Sequence, residues 1–461
     1  MKQNINIIDF KTKEAIYQVI LPLNLALKIP ADDSVRLLSK LVDTLDLGGV
    51  IKGGFKYSKI PIEIMLKVVV YGYMNCIYSS RGIEKACRRD INFMWLLQGY
   101  PPPDHNTIAR FRVRLDTENI LSKITRFLKA GGELDFDSVF IDGTKLEANA
   151  NRYSFVWKGS TQKNLERLKD KKAAFLKDIH SLYGIKFCSL QGVLDFLDLQ
   201  EFVSGKGRRK SQKQRDYETA LELSEKEKRY EIYLKQLKAR NSLSKTDNDA
   251  TFMRLKDDHM RNGQLKPAYN IQVAVENQYI TGTYISSDRD DVNTLKPLLK
   301  KLSKTCGYKH KNIVADAGYE SEENYVYLKK HNYISYIKPQ NYEKSKTRKF
   351  KKAIGKMENM SYDSQEDIFT CAAGRQLRFK YSGVRETASG YKRDTRIYEC
   401  ESCDNCEVQI LCTRAKGNKQ IQFSPLFESL RNISRENITT ALGTYVKGKS
   451  LYPSRRCVWH T

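Results

Sequence analysis

Two short apolar runs each end in an aspartate. One is Ser138, Val139, Phe140, Ile141, Asp142, Gly143, Thr144, Lys145 and Leu146; the other is Asn312, Ile313, Val314, Ala315, Asp316, Ala317, Gly318 and Tyr319. Continuous Val, Phe and Ile suit a central strand covered on both faces. A carboxylate directly after such a run is costly to bury unless something neutralises it. Taken singly, each run also reads as an Asp-containing turn at a strand end. Taken together, two such strands side by side would present two hard oxygen donors to a divalent cation, with Asp142 and Asp316 as its ligands.

A second cluster is made of soft donors. Cys400, Cys403, Cys406 and Cys412 are separated by two, two and five residues. Four thiolates so close in sequence can close a tetrahedral Zn²⁺ site, and Cys371 is an alternative ligand. An iron–sulfur cluster and free thiols stay open as readings, although the last spacing and the missing Cys-Pro depart from the bacterial ferredoxin run. No paired histidine motif lies nearby, which argues against a nucleophilic cysteine. Ten cysteines in 461 residues, with no N-terminal apolar run, fit a reducing compartment and a metal site better than a disulfide framework.

The elements that must position these groups follow from periodicity. Asp32, Asp33 and Ser34 precede an apolar helical face of Val35, Leu38, Leu41, Val42 and Leu45. Pro61 opens a buried helix through Tyr71, and Ser79 to Arg89 reads as a short helix with a basic face. After Pro101 to Pro103 another helix begins, with Asn106 or Thr107 as its cap. Ile108, Phe111 and Leu115 share one face there, while Arg110, Arg112 and Arg114 occupy the others. Short helices, a tight break and arginines near a helix start are what a helix-turn-helix reader of DNA needs; a charged helical bundle is the plainer alternative. Arg81, Lys85, Arg88, Arg89, Asn106, Arg110 and Arg112 are the candidate DNA contacts.

Downstream of the Asp142 strand, Ser160 to Lys177 and Gln212 to Ala239 have helical spacing and dense charge, joined through an exposed basic linker at Ser204 to Ser211. They read as a helical insertion, with a hairpin as one form of it. Tyr269 to Val275 and Tyr279 to Ile285 then form a hairpin, Leu295 to Leu302 a helix capped from Asp291 to Thr294, and Tyr333 to Lys338 a strand after the Asp316 strand. The order strand, insertion, hairpin, helix, strand, helix, strand matches a ribonuclease H-like α/β mixed sheet. In that sheet the first strand and the strand after the first helix are neighbours, so Asp142 and Asp316 face one crevice.

The whole-chain charge of +26, from 80 Lys and Arg against 54 Asp and Glu, points to a polyanionic partner. A ribosomal or membrane-surface protein shares that property. The most apolar stretch, Ile60 to Tyr78, is interrupted by Glu63 and Lys67 and is no membrane span.

Several segments together resemble bacterial insertion-sequence transposases with a DDE catalytic core. They are Val69 to Asn75, Asp104 to Phe111, Ile141 to Lys145, Phe252 to Lys256 and Ala315 to Tyr319, and the likeness runs from about Pro30 to Thr444. The resemblance implies an N-terminal helical DNA-binding domain over 1–130 and a ribonuclease H-like catalytic core over 131–345, with the helical insertion at about 152–265. A Cys-rich insertion with a zinc knuckle would occupy 346–430, and a C-terminal segment 431–461. It implies Mg²⁺ or Mn²⁺, two ions in an intact site, with Asp142 and Asp316 as catalytic ligands. Lys145 and Lys338 are candidates to touch phosphate. Double-stranded DNA is the expected partner, as terminal inverted repeats and as target. A homo-oligomer on DNA, no membrane, and a cytoplasmic, nucleoid-associated location in a bacterium are expected with it.

A DDE core has a third acid, carried in this family by a segment like N-R-S-I-Q-A-E-G-V-F-G. The tail from Gly443 to Thr461 contains no acidic residue. Codons for Tyr452 to Thr461 can, shifted by one base, spell Ile-Gln-Ala-Glu-Gly-Val-Phe-Gly-Ile, and Lys449 to Leu451 permit Asn-Arg-Ser. The expectation is a frameshift after Thr444 that removes the third ligand. Glu428 and Glu436 are the substitutes within the chain. Two readings stay open: a transposase with impaired cleavage, or a DNA-binding product that occupies inverted repeats and inhibits the intact enzyme.

Overall fold

The computed structural model describes residues 25–53, 59–197, 203, 210–255, 262–307, 309–387, 389–441, 443 and 444. The basic linker at 204–209 and the tail from 445 onward lie outside the described residues. Contacts divide the chain into a unit of residues 1–135 and one of 136–458.

The first unit is helical. Its helices are α1 (Ser34–Thr44), α2 (Ile62–Met74), α3 (Ser80–Cys87), α4 (Ile91–Leu96), α5 (His105–Arg114) and α6 (Thr117–Ala130). Capping side chains set the starts of five of them, Asp90 and Asp116 serving α4 and α6. Asp33 accepts from Val35 N, Ser79 from Gly82 N and Asp104 from Thr107 N. The cap of α5 is therefore Asp104, not Asn106 or Thr107: it follows three prolines that hold the chain extended, and its carboxylate reaches the orphan amide first. Val35, Leu38, Met65, Leu66, Ile83, Phe93, Ile108 and Phe111 form the core. Lys67 is wholly buried on α2, its Nζ 2.6 Å from Asp43 Oδ1; a charge removed from water needs such a partner.

The second unit holds a six-stranded sheet of β1 (Ser138–Glu147), β4 (Thr251–Arg254), β5 (Leu265–Glu276), β6 (Tyr279–Ser286), β7 (Asn312–Ala315) and β8 (Ile334–Ile337). The spatial order is β4-β5-β1-β7-β8, with β6 also on β5. β1, β7 and β8 run parallel; β5 pairs antiparallel with β1, β4 and β6. The β5–β6 turn places Asn277 and Gln278 at φ 47° and 72°, the left-handed geometry of a two-residue hairpin. Helix α10 (Leu295–Cys306) buries Leu295, Leu298, Leu299 and Leu302 against Val139, Ile141, Ile313 and Ala315. Helix α11 (Glu322–Lys330) connects β7 to β8.

Between β1 and β4 lies the insertion. A short ribbon of β2 (Phe155–Trp157) and β3 (Ser242–Ser244) bases two long helices, α7 (Lys158–Tyr183) and α9 (Gln212–Leu237). An ion pair of Lys172 with Glu227, and a hydrogen bond from the Tyr183 hydroxyl to Asp216, fix them as an antiparallel hairpin. Helix α8 (Leu190–Phe196) closes a small core of its own with Ile179, Val193, Leu194 and Ala220.

A second, antiparallel sheet has the order β13-β12-β11-β10-β9. Its strands are β9 (Ser361–Asp363), β10 (Ile368–Thr370), β11 (Gln376–Glu386), β12 (Lys392–Cys400) and β13 (Gln420–Phe423). Helix α12 (Pro425–Thr439) then returns to the first sheet. Ser434 Oγ accepts from Ile337 N at 3.0 Å, and Arg431 meets the buried Glu320 at 2.9 Å. Among the described residues no helix is long and apolar enough to cross a membrane.

Candidate active site

Register brings the two aspartates together. Ile141 stands opposite Ala315 in the parallel β1–β7 pair, so Asp142 and Asp316 are the next residues at the same end of neighbouring strands. Both are exposed. The burial cost anticipated from the apolar runs is avoided because the β1–β7 ladder stops one residue before each aspartate and leaves both carboxylates exposed. Asp142 Oδ1 accepts from Gly143 N, and Asp316 Oδ1 from Gly318 N, each at 2.8 Å.

A third carboxylate shares this crevice. Asp291 sits in the 3₁₀ turn before α10, and its Oδ1 accepts from Asn270 Nδ2 at 2.7 Å and Gln272 Nε2 at 3.1 Å. A Cβ at Gly143 would lie 2.9 Å from Asp291 Oδ1. One at Gly318 would lie 3.2 Å from Asp291 Oδ2 and 3.0 Å from Asp316 Oδ1. The glycine after each aspartate therefore leaves room for the Asp291 carboxylate. Beneath them the wholly buried Tyr319 donates its hydroxyl to Gln272 Oε1. Burial first, then the charges of Asp291, Asp316 and Asp142, hold that phenol well above its ordinary pKa, so it remains a neutral donor. Sequence reading assigned Asp291 only a capping role. It does bracket the start of α10, accepting the Thr294 hydroxyl on its carbonyl at 2.7 Å. The overlooked signal was two glycines that each had to accommodate something.

The exposed carboxylates of Asp142 and Asp316, with the half-buried Asp291 from the turn before α10, are hard oxygen donors of the kind a divalent cation prefers. Among the described residues, no three acidic, histidine or cysteine side chains already stand close enough to hold one ion. Lys145 lies three residues beyond Asp142 on an unbroken stretch of β1, so it points to the opposite face of the sheet. Lys338 is paired with Glu343 at 2.9 Å. Of the substitute acids, Glu428 pairs with Arg431 at 3.3 Å, and burial raises its carboxyl pKa. Glu436 is exposed on α12.

In the helical unit, Arg81, Lys85 and Arg89 are exposed on and just after α3, as are Asn106 and Arg110 on α5. Arg88 pairs with Glu84 at 2.9 Å. Glu84 also accepts from His105 N at 3.0 Å, tying α3 to α5. The His105 contacts, then Arg88, hold the Glu84 carboxyl below its usual range. Arg112 donates to the Tyr78 carbonyl at 2.8 Å and stacks over the Tyr73 ring, which ties α5 to the end of α2.

The four cysteines of the second sheet, Cys400, Cys403, Cys406 and Cys412, line one small cavity, and Cys371 joins them. Among the described residues none of the cysteines is in a disulfide.

A mixed sheet whose parallel central strands deliver acids to one edge fits the ribonuclease H-like domain of DDE enzymes. Comparison with protein families agrees. Residues 23–114 match a family described as Transposase domain (DUF772), and residues 240–402 and 370–455 match two families each described as Transposase DDE domain. The chain belongs to the insertion-sequence DDE transposases. No curated protein and no solved structure matches it.

Proposed function

We propose that the chain is built to cleave DNA at the terminal inverted repeats of an insertion sequence and to join the ends to target DNA, in a reaction that depends on Mg²⁺ or Mn²⁺. The observation that carries this reading is the register that sets Asp142 and Asp316 at neighbouring ends of β1 and β7. When bound there, a divalent cation would supply Lewis acidity to the phosphoryl oxygens of the DNA. Asp142 and Asp316 are the residues to hold it. Asn270 and Gln272 orient Asp291 in the crevice, and buried Tyr319 keeps Gln272 in place. The exposed faces of α3 and α5 offer Arg81, Lys85, Arg89, Asn106 and Arg110 to DNA, with synapsis of two ends by a homo-oligomer in the bacterial nucleoid.

The tail, which carries no acid, supports a frameshift after Thr444 and hence impaired cleavage. It equally favours the alternative of an inactive product that occupies inverted repeats and inhibits intact transposase. The Cys-rich module is read as a structural zinc module that uses Cys403, Cys406 and Cys412 of the expected set.

The test compares this 461-residue chain with a frame-restored chain on DNA bearing the element's terminal repeats. Mg²⁺-dependent nicking is expected from the restored chain and little or none from this one. Robust cleavage by this chain would overturn the frameshift reading, and none by either would overturn the catalytic one.

A further inference from the structure

The second sheet brings together cysteines that are far apart in sequence. Cys371 ends β10 and begins the tight turn to β11: its N–H donates to Arg375 O at 2.9 Å, and Gly374 turns the chain at φ 74°. Arg375 then reaches over to the loop after β12, where Nη1 donates to Ser402 O at 2.7 Å and Asp404 O at 3.0 Å. One arginine thus clamps the Cys371 turn onto the loop that carries Cys403 and Cys406. Cys412 arrives from a short helical turn, Gln409–Cys412.

Between them is a cavity of about 20 Å³, lined by Cys371, Cys403, Cys406, Cys412, Cys400 and Lys419 among others. That volume holds roughly one water-sized sphere. Sulfurs in van der Waals contact with such a sphere stand about 1 Å farther out than the ~2.3 Å of a Zn–S bond. This accounts for a ring of thiols in which no three are yet at metal-holding distance among the described residues.

The thiols are not equivalent. Cys403 Sγ accepts the backbone N–H of Lys419 at 3.2 Å, so its lone pairs face the cavity side of the loop end rather than a carbonyl. Cys400 Sγ instead donates to Ser402 O at 3.3 Å, and its side chain is 3% exposed at the end of β12, packed with Leu377 and Tyr398. Arg375 and Lys419 supply positive charge at the cavity wall, as a tetrathiolate zinc of net charge −2 requires.

We propose that the zinc ligands are Cys371, Cys403, Cys406 and Cys412, and that Cys400 is a buried thiol outside the set. This rests on the reading of the module as a zinc module and assigns its fourth ligand. The ion would pin the β10–β11 turn to the loop after β12, closing the second sheet at one edge.

The test uses the full chain, purified without chelator, with zinc measured by elemental analysis and Co²⁺ substitution read by absorption. One zinc per chain and a tetrathiolate Co²⁺ spectrum are expected. Cys371→Ser should weaken zinc by more than the roughly 10- to 100-fold that a merely supporting neighbour is worth, and shift the Co²⁺ bands. Cys400→Ala and Cys400→Ser should both keep the stoichiometry and the spectrum. Loss of zinc in both Cys400 variants with retention in Cys371→Ser would overturn the ligand assignment and leave the zinc module standing. Absence of zinc from the unaltered chain, with no Co²⁺ uptake or with iron in its place, would overturn the module reading itself.

Discussion

The two sheets of the second unit gather donors in opposite ways. In the first, hard carboxylates sit in the open at the ends of adjacent strands, and strand register alone aligns Asp142 with Asp316. In the second, soft thiols surround a small cavity at a sheet edge, and turns clamped by Arg375 bring them together. On the metal sites proposed above, the contrast has a reason. Asp142 and Asp316 stand where a bulky DNA backbone has access, so the scaffold fixes them from below and leaves their outer side to solvent. A structural ion needs no access, so its ligands are assembled from loops with no edge left open. The first arrangement depends on a few atoms of free space, the second on how well the module closes.

The largest separation between the two sites is expected from the acids. In a frame-restored chain, Asp142→Asn or Asp316→Asn should lower DNA cleavage by about a thousandfold or more, because a metal ligand contributes several kcal/mol to the transition state. Zinc content should be unchanged; a parallel fall in zinc would show that the two sites are not independent. Next in size, Arg431→Ala should leave Glu320, 2% exposed on its side chain, without its ion partner. The cost is about 3 kcal/mol, read as a lowered denaturation midpoint, since an uncompensated buried charge is the expensive case. A midpoint within error of the unaltered chain would remove α12 as a support of the catalytic sheet.

A smaller effect is expected at the crevice floor. Gly143→Ala would push a methyl to within 2.9 Å of Asp291 Oδ1 and 2.8 Å of Gln272 Nε2. It should destabilise by about 1–3 kcal/mol and displace Asp291, weakening Mn²⁺ binding in the same variant. Stability lost with Mn²⁺ affinity intact would show that Asp291 matters only to packing. The smallest effect concerns the helical unit. Arg81→Ala should reduce the salt slope of DNA binding by about one, with little change in stability. Arg112→Ala should do the reverse, losing the tie between α5 and α2 while the slope holds.

How much of this was legible depended on whether a position's partners were local. The Asp142 and Asp316 strands, the β5–β6 hairpin and α10 were readable because apolar runs, turn residues and helical spacing are short-range signals. Asp291 was legible only as a capping residue, since its approach to Gly143 and Gly318 is made by three separate segments. The cap at Asp104 was misread by two or three residues, where neighbouring polar side chains compete for the same amides. The second sheet was hidden because β11 is mostly exposed, and β12 buries the polar Thr395 along with Ile397, Tyr398 and Cys400 in a run that begins Lys392, Arg393, Asp394, so neither shows the clean apolar alternation of a half-buried strand. The Cys400-to-Cys412 run was obvious, yet the approach of Cys371 to it is made by the β10–β11 turn and Arg375, and that is visible only in three dimensions.

The most direct measurement is a Mn²⁺ titration of the unaltered chain followed by electron paramagnetic resonance, repeated for Asp142→Asn and for Asp316→Asn. Weak saturable binding is expected in the unaltered chain and its loss in both variants. Binding unchanged in both would contradict the assignment of these two aspartates as the metal-holding pair.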